Sequence, residues 1–174
     1  MIGFRDRHSE KMYFRYKAER FRNDEGKEIT VKKPRVEVCI RKDSGHPDPE
    51  KNPEYRAYFT VDSGADLTFL PRQIAEIIGL ELNENKKDSV MTIAGKSFAY
   101  QTEAYMEIMY QRRRVPIGFV PILVTEGDAS QEYIERLLVV GREGFFDKFI
   151  VTFNEAEKNF ELRKFQFREK VKRF

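Results

Sequence analysis

Apolar and polar side chains alternate with a period of two along much of the chain, the pattern of strands with one buried face. Met12, Phe14, Tyr16 and Ala18 alternate with Tyr13, Arg15, Lys17 and Glu19, which predicts a strand, and Asn23-Asp24-Glu25-Gly26 predicts a turn after it. Val36, Val38 and Ile40 alternate with Glu37, Cys39 and Arg41 in a second strand, with Cys39 on the face opposite the apolar one and expected to pack under a covering element. Residues 43–54 carry Gly45, Pro47, Pro49 and Pro53 and read as a loop. Tyr55 to Val61 is strand-like again, and Leu67 to Leu70 is a short strand ending at Pro71.

Pro71 suits the first position of a helix, where no amide hydrogen bond is lost, and Ile74, Ile77 and Ile78 supply a helical stripe that Gly79 ends. Val90 to Tyr100 forms two β-prone arms around Ala94-Gly95-Lys96, which predicts a projecting hairpin. Tyr105 to Tyr110 and Val115 to Val124 predict another, joined through Gln111-Arg112-Arg113-Arg114 as a solvated tip. Residues 126–136 fit either a loop or a helical turn. Leu137 to Val140 is a short buried strand, Glu143 to Lys148 a turn of helix, and Phe149, Val151 and Phe153 alternate once more. The sum is a mainly β chain of many short strands with one short helix and no internal repeat.

Composition narrows the class. With 174 residues and 40% apolar content, the chain can bury one core, and a single domain is expected. No apolar run approaches the ~20 residues of a membrane span, and the opening Met1-Ile2-Gly3-Phe4-Arg5-Asp6-Arg7 has no apolar signal core, so a soluble, cytoplasmic protein is expected. Cys39 is the sole cysteine, and His8 and His46 are the sole histidines. That composition offers no disulfide framework, no cysteine or histidine metal cluster and no evident Ser/His pair, and neither a cofactor nor a metal is expected.

Charge is uneven. Residues 158–174 hold seven basic side chains (Lys158, Arg163, Lys164, Arg168, Lys170, Lys172, Arg173) against Glu161 and Glu169, a net of +5, which leaves −2 of the overall +3 for residues 1–157. Such a tail could meet nucleic acid, but a solvated terminus is the more frequent explanation.

The candidate chemistry sits on the bend between two apolar segments, Val61-Asp62-Ser63-Gly64-Ala65-Asp66, where Gly64 lets the turn close and an acid has no cheap structural excuse. The same tripeptide recurs at Asp43-Ser44-Gly45, but without apolar flanks or a following Ala-Asp, and that copy reads as a surface turn. Ala94-Gly95-Lys96-Ser97 looks like the end of a phosphate-binding loop, yet the required first glycine would fall at Val90, which dismisses a nucleotide site.

Together with Leu138-Val139-Val140-Gly141-Arg142-Glu143-Gly144-Phe145-Phe146 some eighty residues later, the Asp62 segment resembles the retropepsin-type aspartic proteases, and most of all the retropepsin-like domains of bacteria and archaea. The resemblance covers roughly residues 30–162, with a strand extension over 1–29 and a basic tail over 163–174. It implies an all-β, single-lobe, closed β-barrel with one short helix and a flap hairpin, and an aspartic endopeptidase. Glu143 stands where the family has Asp or Asn, and the hairpin lacks the Gly-rich retroviral tip.

By the resemblance, Asp62 is the catalytic acid, Ser63 the hydroxyl that hydrogen-bonds across a dimer, and Gly64 the backbone that approaches substrate. Asp66 and Arg142 form a supporting ion pair, and Ala65, Ile93, Ala94, Gly95 and Lys96 line the substrate and flap. Such chemistry needs two carboxylates sharing one proton around a water, one as base and one as acid. A lobe with one motif must therefore form a homodimer that sets Asp62 against its symmetry mate over an extended polypeptide substrate. Plainer readings stand beside these: Asp66 with Arg142 as a structural ion pair, and Phe145 and Phe146 as packing. The competing functional reading is a catalytically silent dimerisation or peptide-binding module; nucleic-acid binding through the tail ranks a distant third, and no membrane partner is expected.

Overall fold

The structure is a computed structural model and describes residues 11–22, 25–45, 50–83, 87–92, 95–126, 134 and 136–165. In chain order the strands are β1 (Lys11–Arg15), β2 (Lys17–Arg22), β3 (Glu28–Lys33), β4 (Arg35–Arg41), β5 (Glu54–Val61) and β6 (Thr68–Pro71), followed by helix α1 (Arg72–Ile77). They continue as β7 (Lys87–Thr92), β8 (Gly95–Tyr110), β9 (Arg113–Thr125), β10 (Val139–Val140), β11 (Phe149–Asn154) and β12 (Asn159–Lys164), with an irregular helical turn Arg142–Phe146 between β10 and β11. The fold is mainly β. No helix among the described residues is long and apolar enough to cross a membrane.

Seven strands form one sheet in the order β4-β5-β10-β6-β9-β8-β7, and β8 pairs back onto β4. The circuit of pairings from β4 through β8 therefore returns to its start, leaving β7 outside it. Val36, Val38, Ile40, Phe59, Leu70, Ile122, Val124 and Val140 fill its interior. A three-stranded sheet, β1-β12-β11, packs Met12, Phe160 and Leu162 into the same cluster, while β2 and β3 form a separate hairpin.

The predicted strand over Met12 to Ala18 is two strands. β1 pairs with β12 and β2 pairs with β3, with the break at Tyr16, whose amide bonds to Lys158 O and whose ring is buried on Phe160. The sheltered face changes at the break: Met12 and Tyr16 are buried as predicted, but Ala18 is exposed and Glu19 and Phe21 are the half-buried positions of β2. Asn23 and Asp24 of the predicted turn lie outside the described residues.

Pro71 is the last residue of β6 and the extended residue that precedes α1, one position earlier than predicted. Gly79, at φ +69°, ends the helix as expected: Gly79 N donates to Glu76 O and Leu80 N to Ala75 O, the paired bonds of a Schellman cap. With the helix that short, Ile74 and Ile78 reach the core and Ile77 faces out, 53% exposed.

β8 is one long strand that serves both predicted hairpins. Arg113 and Arg114 are strand residues, and the connection to β9 is the two-residue turn Gln111-Arg112, both at positive φ, the twist a tight hairpin needs. Gln111 to Arg114 are exposed, as a solvated tip requires, but Arg114 also joins a ring of charges across four strands: Arg41 Nη1 to Glu107 Oε2 at 2.7 Å, Glu107 to Arg114 at 3.1 Å, Arg114 to Glu54 at 2.7 Å, and Glu54 to Arg41 at 3.9 Å. The β8–β9 register shifts between Met106 and Glu107, next to this ring. Cys39 packs under it, 1% exposed, with its thiol pushed up to about 11 by burial.

Candidate active site

β5 enters the site between two neighbours. Val61 N donates to Pro34 O at 2.8 Å on one side, and Thr60 N donates to Leu138 O at 2.9 Å on the other, where β10 runs parallel to β5. One residue later Asp62 N donates to Val140 O at 3.1 Å, so the first residue of the bend is still held by the sheet. The chain then reverses: Gly64 N donates to Asp62 Oδ1 at 2.8 Å and Ala65 N to Asp62 O at 3.3 Å.

The second motif meets the first here. Arg142 N donates to Ala65 O and Glu143 N to Asp66 O, both at 2.8 Å. Gly141 is buried beneath the bend, and a Cβ on it would stand 2.6 Å from the Leu67 carbonyl carbon and 2.8 Å from Ala65 O. Its φ of −100° is open to any residue, so space alone requires glycine at this crossing. The Arg142 guanidinium donates to Asp66 Oδ1, and the carboxylate holds that guanidinium above its usual range. Both side chains are largely exposed, a setting in which an ion pair adds little to stability.

Asp62, Ser63 and Gly64 are exposed and Ala65 is half-buried, so the bend presents its acid to solvent from a rigid base. The second copy of the tripeptide makes an instructive contrast. Gly45 N donates to Asp43 Oδ1 at 2.7 Å, the same local turn, but Asn52 Nδ2 also donates to that oxygen at 2.9 Å, and no bond from β10 supports it. Local turn chemistry is thus common to both copies, and the anchoring by β10 and Gly141 belongs to one.

The rest of the second motif supports the fold. Gly144, at φ +82°, lies where a Cβ would meet Pro121 Cδ at 2.9 Å, and Gly144 N donates to Asp147 Oδ2 at 3.1 Å. Phe145 is buried against Phe149 and Phe146, with ring centroids 5.3 and 5.7 Å apart. These are packing positions. Asp147, which sequence reasoning passed over, closes this turn.

In the projecting hairpin, Gly95 and Lys96 are strand residues paired with Thr92 and Met91, so the tip is shorter than predicted. Ile93 and Ala94 lie outside the described residues. The structure brings together Asp62 to Asp66 with Gly141 and Arg142, and no described contact joins the hairpin to them. Among the described residues, no three His, Cys, Asp or Glu side chains cluster as a metal site.

No protein-family model matches the chain, and no curated protein matches it. Among solved structures it is similar to a retropepsin-like aspartic protease from Rickettsia conorii, at 14% identity and a TM-score of 0.49, over 88% of this chain and 98% of that one. It is also similar to the EIAV protease complexed with the inhibitor HBY-793, at 14% identity and a TM-score of 0.40, over 63% of this chain and 82% of that one. Likeness at this level leaves the chemistry to the chain's own residues.

Proposed function

We propose that two copies of this chain form an aspartic endopeptidase, with Asp62 of each copy meeting across a two-fold axis to activate one water between them. The observation that carries this reading is the anchored bend: an exposed carboxylate whose backbone is fixed by Val140 O on one side and by the Gly141 crossing beneath it. A general acid or base must be held in place without being consumed by internal partners. Asp62 Oδ1 accepts the Gly64 amide and is otherwise presented to solvent, whereas Asp43 Oδ1 is also bound by Asn52.

In this reading one carboxylate takes a proton from the water while its mate, protonated, donates to the scissile carbonyl oxygen. Ser63, exposed beside Asp62, supplies the hydroxyl that links the two bends, and Gly64 leaves room for the substrate backbone. Asp66 and Arg142, whose pairing contributes little to the isolated fold, shape the bend and the surface that meets the partner. The β7–β8 hairpin, with Ile93 to Lys96 at its end, covers the extended substrate, and Ala65 lines the floor.

Mixing tests the shared site. Parent chains refolded with a ninefold excess of Asp62→Asn chains should lose activity per parent chain by roughly tenfold, because almost every parent subunit then faces an inactive mate. Activity per parent chain that is independent of the excess would sink the shared dyad.

A further inference from the structure

Beyond the closed circuit of strands, β7 and the beginning of β8 run on as a ribbon. β8 is joined to β9 from Ala99 onward, where Ala99 pairs with Thr125, the last residue of β9. Among the described residues, its strand neighbour from Gly95 to Phe98 is β7. A two-stranded ribbon is marginal in water, so its orientation depends on how its root is fixed.

Glu126 sits at that root. Its amide donates to Phe98 O at 3.1 Å and carries the ladder one residue past the end of β9. Its Oε1 accepts from Lys87 Nζ at 2.8 Å and from the Tyr100 hydroxyl at 2.6 Å. Lys87 and Tyr100 are paired in register on opposite strands, so one carboxylate oxygen holds both strands at a single row. Tyr100 is buried, and the Arg72 guanidinium, on the first residue of α1, lies 5.7 Å from its ring and 3.8 Å from Glu126 Oε1. Lys87 covers the same ring from 5.4 Å. The ribbon is thereby tied to the barrel and to the helix that follows the Asp62 bend, through one acidic side chain that the catalytic reading does not use.

We propose that Glu126 is the pin of the β7–β8 ribbon, a positioning residue that fixes the angle at which the ribbon leaves the barrel and so the height at which it meets a bound polypeptide. The effect on substrate rests on the peptidase reading above; the effect on the ribbon rests on the geometry alone. Loss of the pin leaves the Asp62 bend intact, since none of its hydrogen bonds involves Glu126, Lys87 or Tyr100.

Amide hydrogen exchange and steady-state kinetics on the protein test the two halves separately, using the disruptive variants Glu126→Ala and Lys87→Glu and the charge-conserving Lys87→Arg. Each disruptive variant should speed exchange of the amides in β7 and at 95–98 by about tenfold or more while β4 and β5 keep theirs, and Lys87→Arg should keep much of the protection. In a peptide assay the disruptive variants should raise KM with kcat nearly unchanged. Unchanged ribbon exchange, an equal rise throughout the barrel, or a Lys87→Arg protein that exchanges as fast as Lys87→Glu overturns the pin. A fall in kcat with KM unchanged overturns the positioning role. A parent protein that cleaves no peptide overturns the peptidase reading instead, and the exchange result still decides the pin.

Discussion

Gly141 lies directly beneath the Leu67 carbonyl, and a Cβ there would come within 2.6 Å of the Leu67 carbonyl carbon. This crossing locks the Asp62 bend to the end of β10, because the residues on either side, Val140 and Arg142, exchange backbone hydrogen bonds with Asp62 and Ala65. Two segments far apart in sequence thus form one small rigid unit.

Gly141→Ala should therefore displace the bend. The atoms in the way are backbone, which cannot swing aside, and overpacking of this kind costs about 1–3 kcal/mol. Gly45→Ala is the matched control, since its close neighbour is the end of the Asp43 side chain. Urea unfolding should place Gly141→Ala well below the parent and Gly45→Ala near it, and any peptidase activity should fall only in the former.

The ring of Arg41, Glu107, Arg114 and Glu54 makes a second prediction. The Arg41 and Glu107 side chains are 6% and 10% exposed, and without Glu107 the Arg41 guanidinium keeps the longer, 3.9 Å contact to Glu54 in a poorly solvated place. Glu107→Ala should destabilise the protein by about 2 kcal/mol, less than the full cost of an unpaired buried charge, as read by chemical denaturation. Lys42→Ala, which removes an exposed partner of Glu81, should change stability by less than about 1 kcal/mol.

Acid should attack the same ring. The hydrogen bond from Arg114 holds the Glu54 carboxyl below its ordinary value of 4.5. A lowered value in the fold means that the contribution is complete above the unfolded value and is lost as pH falls through the folded one. Thermal midpoints should thus hold near neutrality and decline below about pH 4.5, where the unfolded chain takes up protons first. Glu54→Gln should start lower at neutral pH and decline less steeply, which bounds the acidic side of any activity profile by stability rather than by chemistry.

How far the sequence carried differs from element to element. β4 was legible from Val36, Val38 and Ile40, because its core-facing side chains are apolar and impose their period, whereas the burial of Arg35, Cys39 and Arg41 on the opposite face left no mark in the pattern. The Asp62 bend was legible because apolar flanks and a distant Gly-Arg segment distinguish it from Asp43. The crossing at Gly141 was not, since no local pattern says which backbone will pass over a glycine. The pairing of Arg114 was hidden for a related reason: its partners Glu54 and Cys39 lie 60 and 75 residues away, and a run of exposed arginines does not say which one will meet a carboxylate. Gln111 and Arg112 carry positive φ without the Asn or Gly that would announce it. Glu126, in a stretch that fitted either loop or helix, gave no signal before Lys87 and Tyr100 were brought to it.

The account stands on Asp62, and digestion of a peptide library across acidic to neutral pH by the purified parent and by Asp62→Asn tests it most directly, since a shared carboxylate pair works with one member protonated and the other ionised. The parent should cut extended peptides, and Asp62→Asn should lose that cleavage while keeping the parent's fold and oligomeric state. A parent that forms dimers and cuts nothing, or an Asp62→Asn protein that cuts as well as the parent, would contradict it.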